Sequence, residues 1–381
     1  MTDLAKNTGG GPNTGRRVCV VGGGLGGLAA ALAFARQGAV VQVFEQAPRI
    51  AEVGAGIQVT PNGARVLSAL GLDGPMAAHS IVAKAVEPMD AVSGRPVTRF
   101  DLTGLDGPPY RFFHRAALIS LLMEACVAAG VEIHTDARID AALPEGDLIV
   151  GADGINSQLR VRLNGADDPF FTGQVAWRAV VNMADADPVA RIWMAPGRHV
   201  VTYPLTGGRL NIVAVQARQQ WAAEGWNHDD DAGNLRQAFR GLSGRLRGIL
   251  DQVEDLRLWG LFRHPVAQVW YQDNIAILGD AAHPTLPFLA QGANLAFEDA
   301  WALAANCAAH GDLAVALPAY QAQRRARVQR AISAANANAR NYHLSGLQRR
   351  VAHLGLRGLG AVAPNAFLGR MDWLYGHDVT A

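Results

Sequence analysis

The run Gly22-Gly23-Gly24-Leu25-Gly26-Gly27 lies between an apolar stretch ending at Val21 and a long run rich in alanine and leucine. It fits GxGxxG, with Gly22, Gly24 and Gly27 in the key places. The first glycine permits a tight turn, the second lets backbone approach a pyrophosphate, and the third lets a helix pack on a sheet. The helix opening at Leu25 then points free N–H groups at an anion. The context suits that reading. A strand is predicted over Arg17–Val21, a helix ending near Gln37 with Gly38 as its left-handed cap, and a second strand over Val40–Glu45. Glu45 comes 23 residues after Gly22, near the roughly 20-residue spacing at which an acidic side chain accepts bonds from an adenosine ribose. Gln46 follows it. A carboxylate there disfavours a 2′-phosphate, so FAD or NAD is favoured over NADP.

Other readings of this region are weaker. Val18–Ala35 carries no charge and nears the length of a membrane span, but its five glycines suit a strand–turn–helix better. Residues 1–16 are polar and glycine-rich, without an apolar h-region, and are expected to form a disordered lead. Lys+Arg 34 against Asp+Glu 33 leaves a formal charge of +1, which gives no footprint for nucleic acid. Cys19, Cys126 and Cys307 form no CxxC pair. No metal site or disulfide framework is expected, and the count fits a reducing cytoplasm.

Further along, Thr60-Pro61 suits an N-cap and first helical position, with the helix running to Gly71. A helix over Ala116–Ala129 leads to strands at Val131–His134 and Asp147–Gly151. Ala176–Asn182, His199–Leu205 and Leu210–Gln216 read as strands of an antiparallel sheet, the last two flanking the hairpin signal Thr206-Gly207-Gly208-Arg209. Asp229-Asp230-Asp231 reads as a solvated loop. A strand at Asn274–Leu278, a helix at Ala293–Ala308 and a long Arg-rich helix at Leu317–Tyr342 follow.

Three motifs in order now point to a family. Besides the glycine turn there are Gly151-Ala152-Asp153-Gly154-Ile155-Asn156-Ser157 with Arg160, and Gly279-Asp280-Ala281-Ala282-His283-Pro284 followed by Pro287 and Gln291-Gly292-Ala293-Asn294. These resemble the flavoprotein aromatic hydroxylases (group A flavoprotein monooxygenases), and most closely the salicylate hydroxylase-like and 3-hydroxybenzoate 6-hydroxylase-like enzymes. His114-Arg115, Gly54-Ala55-Gly56-Ile57, Trp177-Arg178, Tyr203-Pro204-Leu205 and the closing Trp373–Asp378 segment are similar too. The resemblance covers nearly the whole chain after Arg17.

It implies an α/β fold with a Rossmann-like FAD-binding domain of the glutathione reductase type. That domain is expected from 17–75, 110–165 and 266–343, an antiparallel-sheet substrate domain from 76–109 and 166–265, and a C-terminal helical tail at 344–381. It implies FAD as cofactor, NADH or NADPH as transient co-substrate, and dioxygen. The implied activity is hydroxylation of a small aromatic or heteroaromatic phenol or carboxylic acid through a flavin C4a-hydroperoxide. Gly56 is placed near the cofactor, Arg115 at its pyrophosphate, Asp153 in FAD support and nicotinamide handling, and Asp280 on the ribitol. The helix opening at Gly292, Ala293 and Asn294 points its positive end at the flavin. One departure is the short Asp136–Gly146 connection of 11 residues, where such enzymes carry a longer meander.

A phenol reacts best as phenolate, so a general base is expected in the pocket. Side chains alternate along a strand, so His199, Val201 and Tyr203 share one face. His199 is the candidate base and Tyr203 the partner of the substrate hydroxyl. Arg178 is the candidate anchor for a carboxylate, with Pro287, Phe288 and Gln58 as further substrate contacts, while His283 is read as structural. Competing readings are hydroxylation or epoxidation of a quinone precursor or natural-product ring, and a non-catalytic binding protein. A halogenase is disfavoured because Trp-x-Trp-x-Ile-Pro is absent. A homodimer is open to the chain.

Overall fold

The computed structural model describes residues 11–50, 55–140, 142–220, 227–362 and 366–381. Residues 1–10 of the expected lead, Gly54 and Ala141 fall outside the described residues. Residues 11–16 differ from the expectation, because they are docked. Asn13 is buried; its backbone N–H donates to the Gln37 carbonyl at 3.0 Å and its amide to the Ala304 carbonyl at 3.2 Å. These bonds give it polar partners that a free lead would lack.

The first sheet has six strands in the order Tyr271–Gln272, Ile275–Ile277, Leu148–Gly151, Arg17–Val21, Val40–Phe44, Glu132–His134. All neighbours are parallel except the first pair. The central strands are near-continuous Val/Ile/Leu runs, as burial on both faces demands. The Leu25–Arg36 helix packs on this sheet beside the Gly292–His310 helix. Gly38 has φ +91° and turns the chain back into the second strand.

The second sheet has eight strands, and its centre pairs Phe170–Asn182, Arg209–Ala217 and Arg198–Leu205 antiparallel. The signal at Gly207 and Gly208 closes the last two, both at positive φ as a primed hairpin turn requires. Both faces of this sheet are covered. Trp177, Val200, Ile212 and Ala214 face a core closed by the helices Ala232–Phe239 and Gly244–Leu250. The alternate positions face the first sheet. The strands at Ala85–Asp90, Val189–Ala195 and Arg257–Arg263 complete the sheet, and all its strands lie within 85–101 and 170–263. A small sheet of Gly56–Val59, Arg111–His114 and Ser80–Val82 joins the two layers.

The acidic run is exposed at Asp229 and Asp231, as expected, but it is more than a solvated loop. Asp229 ends a strand, Asp230 accepts from the buried Trp177 indole at 2.7 Å, and Asp231 caps the Ala232–Phe239 helix through Gly233. A buried indole N–H needs an acceptor, and Asp230 supplies it. Thr60 precedes its helix as expected, but its hydroxyl donates to Asn62 Oδ1 at 2.6 Å instead of capping.

Candidate active site

A cavity of about 690 Å³ lies between the two large sheets. Its floor begins at the glycine turn. Gly22 has φ +107°, and a Cβ there would stand 2.3 Å from the Ala152 carbonyl oxygen. A Cβ on Gly27 would stand 1.9 Å from the Gly22 carbonyl oxygen. Both glycines are therefore fixed by close packing of strand, turn and helix. Gly24 is different: a Cβ there meets nothing within 4 Å, because it points into the cavity. The Leu25–Arg36 helix has no side-chain cap, so its first N–H groups face that space. Glu45 accepts from the Gly23 N–H at 2.7 Å and the Ala47 N–H at 2.8 Å, and lines the cavity with Gln46. This is a cradle of pyrophosphate size with an acidic rim, and it fits a dinucleotide.

The other two motifs meet beside it. Asp153 lines the cavity and accepts from Ser157 Oγ at 2.5 Å and the Gln158 N–H at 2.8 Å. Arg160, on the helix so capped, is buried and donates to the carbonyls of Ala281, Ala282 and Pro265 and to Asp167. One side chain thus fastens the Asp153 loop to the Asp280 turn. Asp280 is open to the cavity yet ringed by protein. That desolvation pushes its carboxyl up from the ordinary range, against the pull of His283, Arg115 and Arg178. The Gly292–His310 helix also lacks a side-chain cap, and Gly292 and Ala293 line the cavity at its start. Gly56, also on the wall, lies against Tyr203, where a Cβ would stand 2.7 Å from the Tyr203 ring.

Behind this floor runs a buried polar network. Asn294 Oδ1 accepts from the Thr60 N–H at 3.0 Å, and its amide donates to the Gln58 and Ala290 carbonyls. Asn62 donates to Gln291 at 3.1 Å and Glu298 at 2.6 Å. Arg324 is fully buried, 2.6 Å from Glu298 and 2.8 Å from Asp299. Asp299 also meets His283 at 2.5 Å and accepts from the Gly279 N–H at 3.1 Å. Burial would raise the Asp299 carboxyl, but His283 and Arg324 hold it down at about 2.

The opposite wall is the face of the second sheet left by alternation. The register places His199 beside Val215, Val201 beside Val213, and Tyr203 beside Asn211. His199, Val201, Val213 and Val215 line the cavity with Arg178 and Phe288. His199 Nδ1 lies 2.7 Å from His343 Nε2, and Phe288 packs edge-on with ring centroids 5.4 Å apart. Burial, and then His343, push the His199 imidazole well below its usual range. Tyr203 stacks on Phe112 at 5.1 Å, and burial pushes its phenol upward. The Arg178 guanidinium sits over the Trp259 ring at 5.4 Å. Gln58 accepts from the Tyr110 hydroxyl at 2.6 Å.

Of the residues singled out in the sequence, the cavity brings together all but two. Gly27 lies in the packing beneath the turn. Asn294 lies on the Gly292–His310 helix but does not line the cavity; its amide is spent on Thr60, Gln58 and Ala290. His283 packs against Trp270 and Asp299, a structural position. The sequence reading missed Thr285 and the wall formed by Ala137, Arg138 and Asp140, and, behind the lining, His343 against His199 and Asn211, whose Oδ1 accepts from the Gly56 N–H at 2.6 Å. That wall belongs to the short 135–147 connection, in which the described residues form no strand. The Asp136 and Ala137 N–H groups bond to the Ala47 and Glu45 carbonyls, so the connection lies against the Glu45 end of the cradle.

A parallel sheet with a glycine-rich pyrophosphate turn, walled in by a second sheet, defines a dinucleotide-binding protein. The FAD binding domain family matches residues 16–335. A 3-hydroxybenzoate 6-hydroxylase of Klebsiella oxytoca is 34% identical over 94% of this chain and 96% of that protein. A 3-amino-4-hydroxybenzoate 2-monooxygenase of Streptomyces cremeus is 37% identical over 74% of this chain and 76% of its own length. A solved salicylate hydroxylase substrate complex has the same fold, with a TM-score of 0.79 over 96% of each chain at 22% identity. The chain belongs to the FAD binding domain family, and it is an FAD-dependent monooxygenase of aromatic compounds.

Proposed function

We propose that the substrate is a small hydroxylated aromatic or heteroaromatic acid held against the His199–Tyr203 face. His199 carries the reading. Its Nδ1 is engaged by His343, and its ring lies on a cavity wall that is otherwise Val201, Val213, Val215 and Phe288. Burial keeps this imidazole neutral and lowers its basicity, so the phenol proton that it accepts at Nε2 must move on rather than rest there as an imidazolium. Tyr203, kept protonated by burial, donates to the phenolate oxygen. Arg178 pairs with the carboxylate. The apolar side chains exclude water and strengthen each of these contacts. Gly22, Gly24, Glu45, Asp280 and the start of the Gly292 helix would hold FAD, which would supply the activation of dioxygen once reduced by NADH or NADPH.

The two large sheets divide this work between a cofactor domain and a substrate domain. Three buried free thiols fit a reducing, cytoplasmic setting, and among the described residues no helix is long and apolar enough to cross a membrane. The exposed Leu347, Val351 and Leu354 on the Gly346–Val362 helix suit a second copy of the chain.

The test is anaerobic stopped-flow reduction by NADH and NADPH, with and without 3-hydroxybenzoate, salicylate, 3-amino-4-hydroxybenzoate and 6-hydroxynicotinate. One acid is expected to accelerate flavin reduction by orders of magnitude and to be hydroxylated with oxygen from dioxygen. Acceleration by none of them refutes the substrate class.

A further inference from the structure

We propose that His343 carries the phenol proton from His199 to solvent. The inference rests on the reading of His199 as the base. His343 closes the Leu313–Tyr342 helix, and its ring faces His199 with centroids 5.0 Å apart. The two nitrogens are 2.7 Å apart, a full hydrogen bond between neutral imidazoles. The backbone holds this pairing: the Gly197 N–H donates to the His343 carbonyl at 3.2 Å, beside the start of the His199 strand. The groups packed on the pair are the Phe288 and Tyr342 rings. Arg198, next in sequence, points away over Phe239. Among the described residues neither imidazole forms an ion pair with a carboxylate, so no paired counter-charge traps a proton there.

Exposure runs in one direction. His199 is 1% exposed and opens only to the cavity, whereas His343 is partly exposed. The transfer balances along this line. The substrate O–H bond breaks and a bond forms from that proton to His199 Nε2. The His199 Nδ1–H bond breaks as His343 Nε2 takes its proton. The His343 Nδ1–H proton then leaves to water. His199 ends neutral in its other tautomer, and the reverse path resets it. The phenolate is thereby formed without leaving an imidazolium in an apolar wall, where desolvation would penalise it.

The experiment mixes FAD-loaded protein with 3-hydroxybenzoate in weak buffer. Binding is read from the flavin absorbance change and proton release from a pH indicator. In the wild type, release keeps pace with binding. His343→Gln keeps a hydrogen-bonding side chain against His199 but cannot relay. It is expected to leave the binding rate and Kd unchanged while release slows roughly ten- to a hundredfold. His343→Ala is expected to show the same lag, and added imidazole to restore the rate. His199→Gln is expected to abolish release. If His199→Gln abolishes release while both His343 variants release at the wild-type rate, the relay is overturned and the base stands. If the wild type releases no proton, or His199→Gln releases it normally, the base reading falls and the relay with it.

Discussion

Arg324→Met tests the claim that buried charges hold the Asp280 turn in place. Arg324 is fully buried with Glu298 and Asp299, which are themselves at 0% exposure. Methionine keeps the length of the side chain and removes the charge. Removing one partner of a buried ion pair costs about 3–5 kcal/mol when the remaining charge is left without compensation; Asp299 keeps His283 and Glu298 keeps Arg327, which places Arg324→Met at the low end of that range. In a chain of this size that range corresponds to a fall in Tm of roughly 4–6 °C. The pH dependence gives a second signature. Asp299 is depressed from 3.8 to about 2, so its contribution is fully present above pH 3.8 and is lost as pH falls toward 2. That contribution is about 2 kcal/mol in the wild type; acid unfolding of the variant should lack the share due to Arg324 and keep the share due to His283. Asp299 also accepts from the Gly279 N–H, one residue before Asp280. FAD affinity, read by flavin fluorescence, should therefore weaken together with stability. A variant melting within about 2 °C of the wild type would refute the charge argument. A large drop in Tm with unchanged FAD affinity would confine the network to stability and remove its link to Asp280.

Two further contrasts follow from the same geometry. Gly24→Ala and Gly27→Ala should fail in different ways. A Cβ at 24 meets no protein, so that variant should melt normally without FAD but bind it more weakly, whereas a Cβ at 27 strikes the Gly22 carbonyl and should destabilise the apoprotein itself; thermal melts with and without FAD separate the two. Asp230→Ala strands the buried Trp177 indole N–H and should cost about 1–3 kcal/mol by denaturant unfolding, with FAD affinity intact, because the bond lies on the far side of the second sheet from the cavity.

What the sequence made legible follows the range of the forces involved. The glycine turn could be read because its demands are local: a positive φ at Gly22 and lost Cβ atoms within a six-residue span. Glu45 was legible from its distance to that turn. The common face of His199 and Tyr203 followed from strand alternation, but alternation could not say which face met the cavity. Both faces are buried, so Val200 and Val201 look alike in the sequence while pointing into different cores. Asp230 and Asn13 were misread for a related reason. Their partners lie 53 and 291 residues away, and short-range pattern sees only a polar run. His343 gave no motif, because its role depends on where a 30-residue helix happens to end.

The same distinction explains how the site is built. The segments Thr60-Pro61-Asn62, Asp153–Arg160, Gly279–His283 and Gln291–Asn294 were recognisable separately, but their meaning lies in the contacts among them. Arg160 ties the second to the third, Asp299 and His283 tie the third to the Gly292 helix, and Asn62 and Asn294 tie that helix to the first. Each tie is a buried polar bond whose loss leaves a desolvated partner, so the four segments are rigid only together. The facing wall is held by apolar packing and strand pairing, which tolerate exchange of side chains far better. Substitutions on the cofactor floor should therefore move stability and FAD affinity together. Substitutions at Val201, Val213, Val215 or Phe288 should instead change which acid is bound and leave the flavin in place.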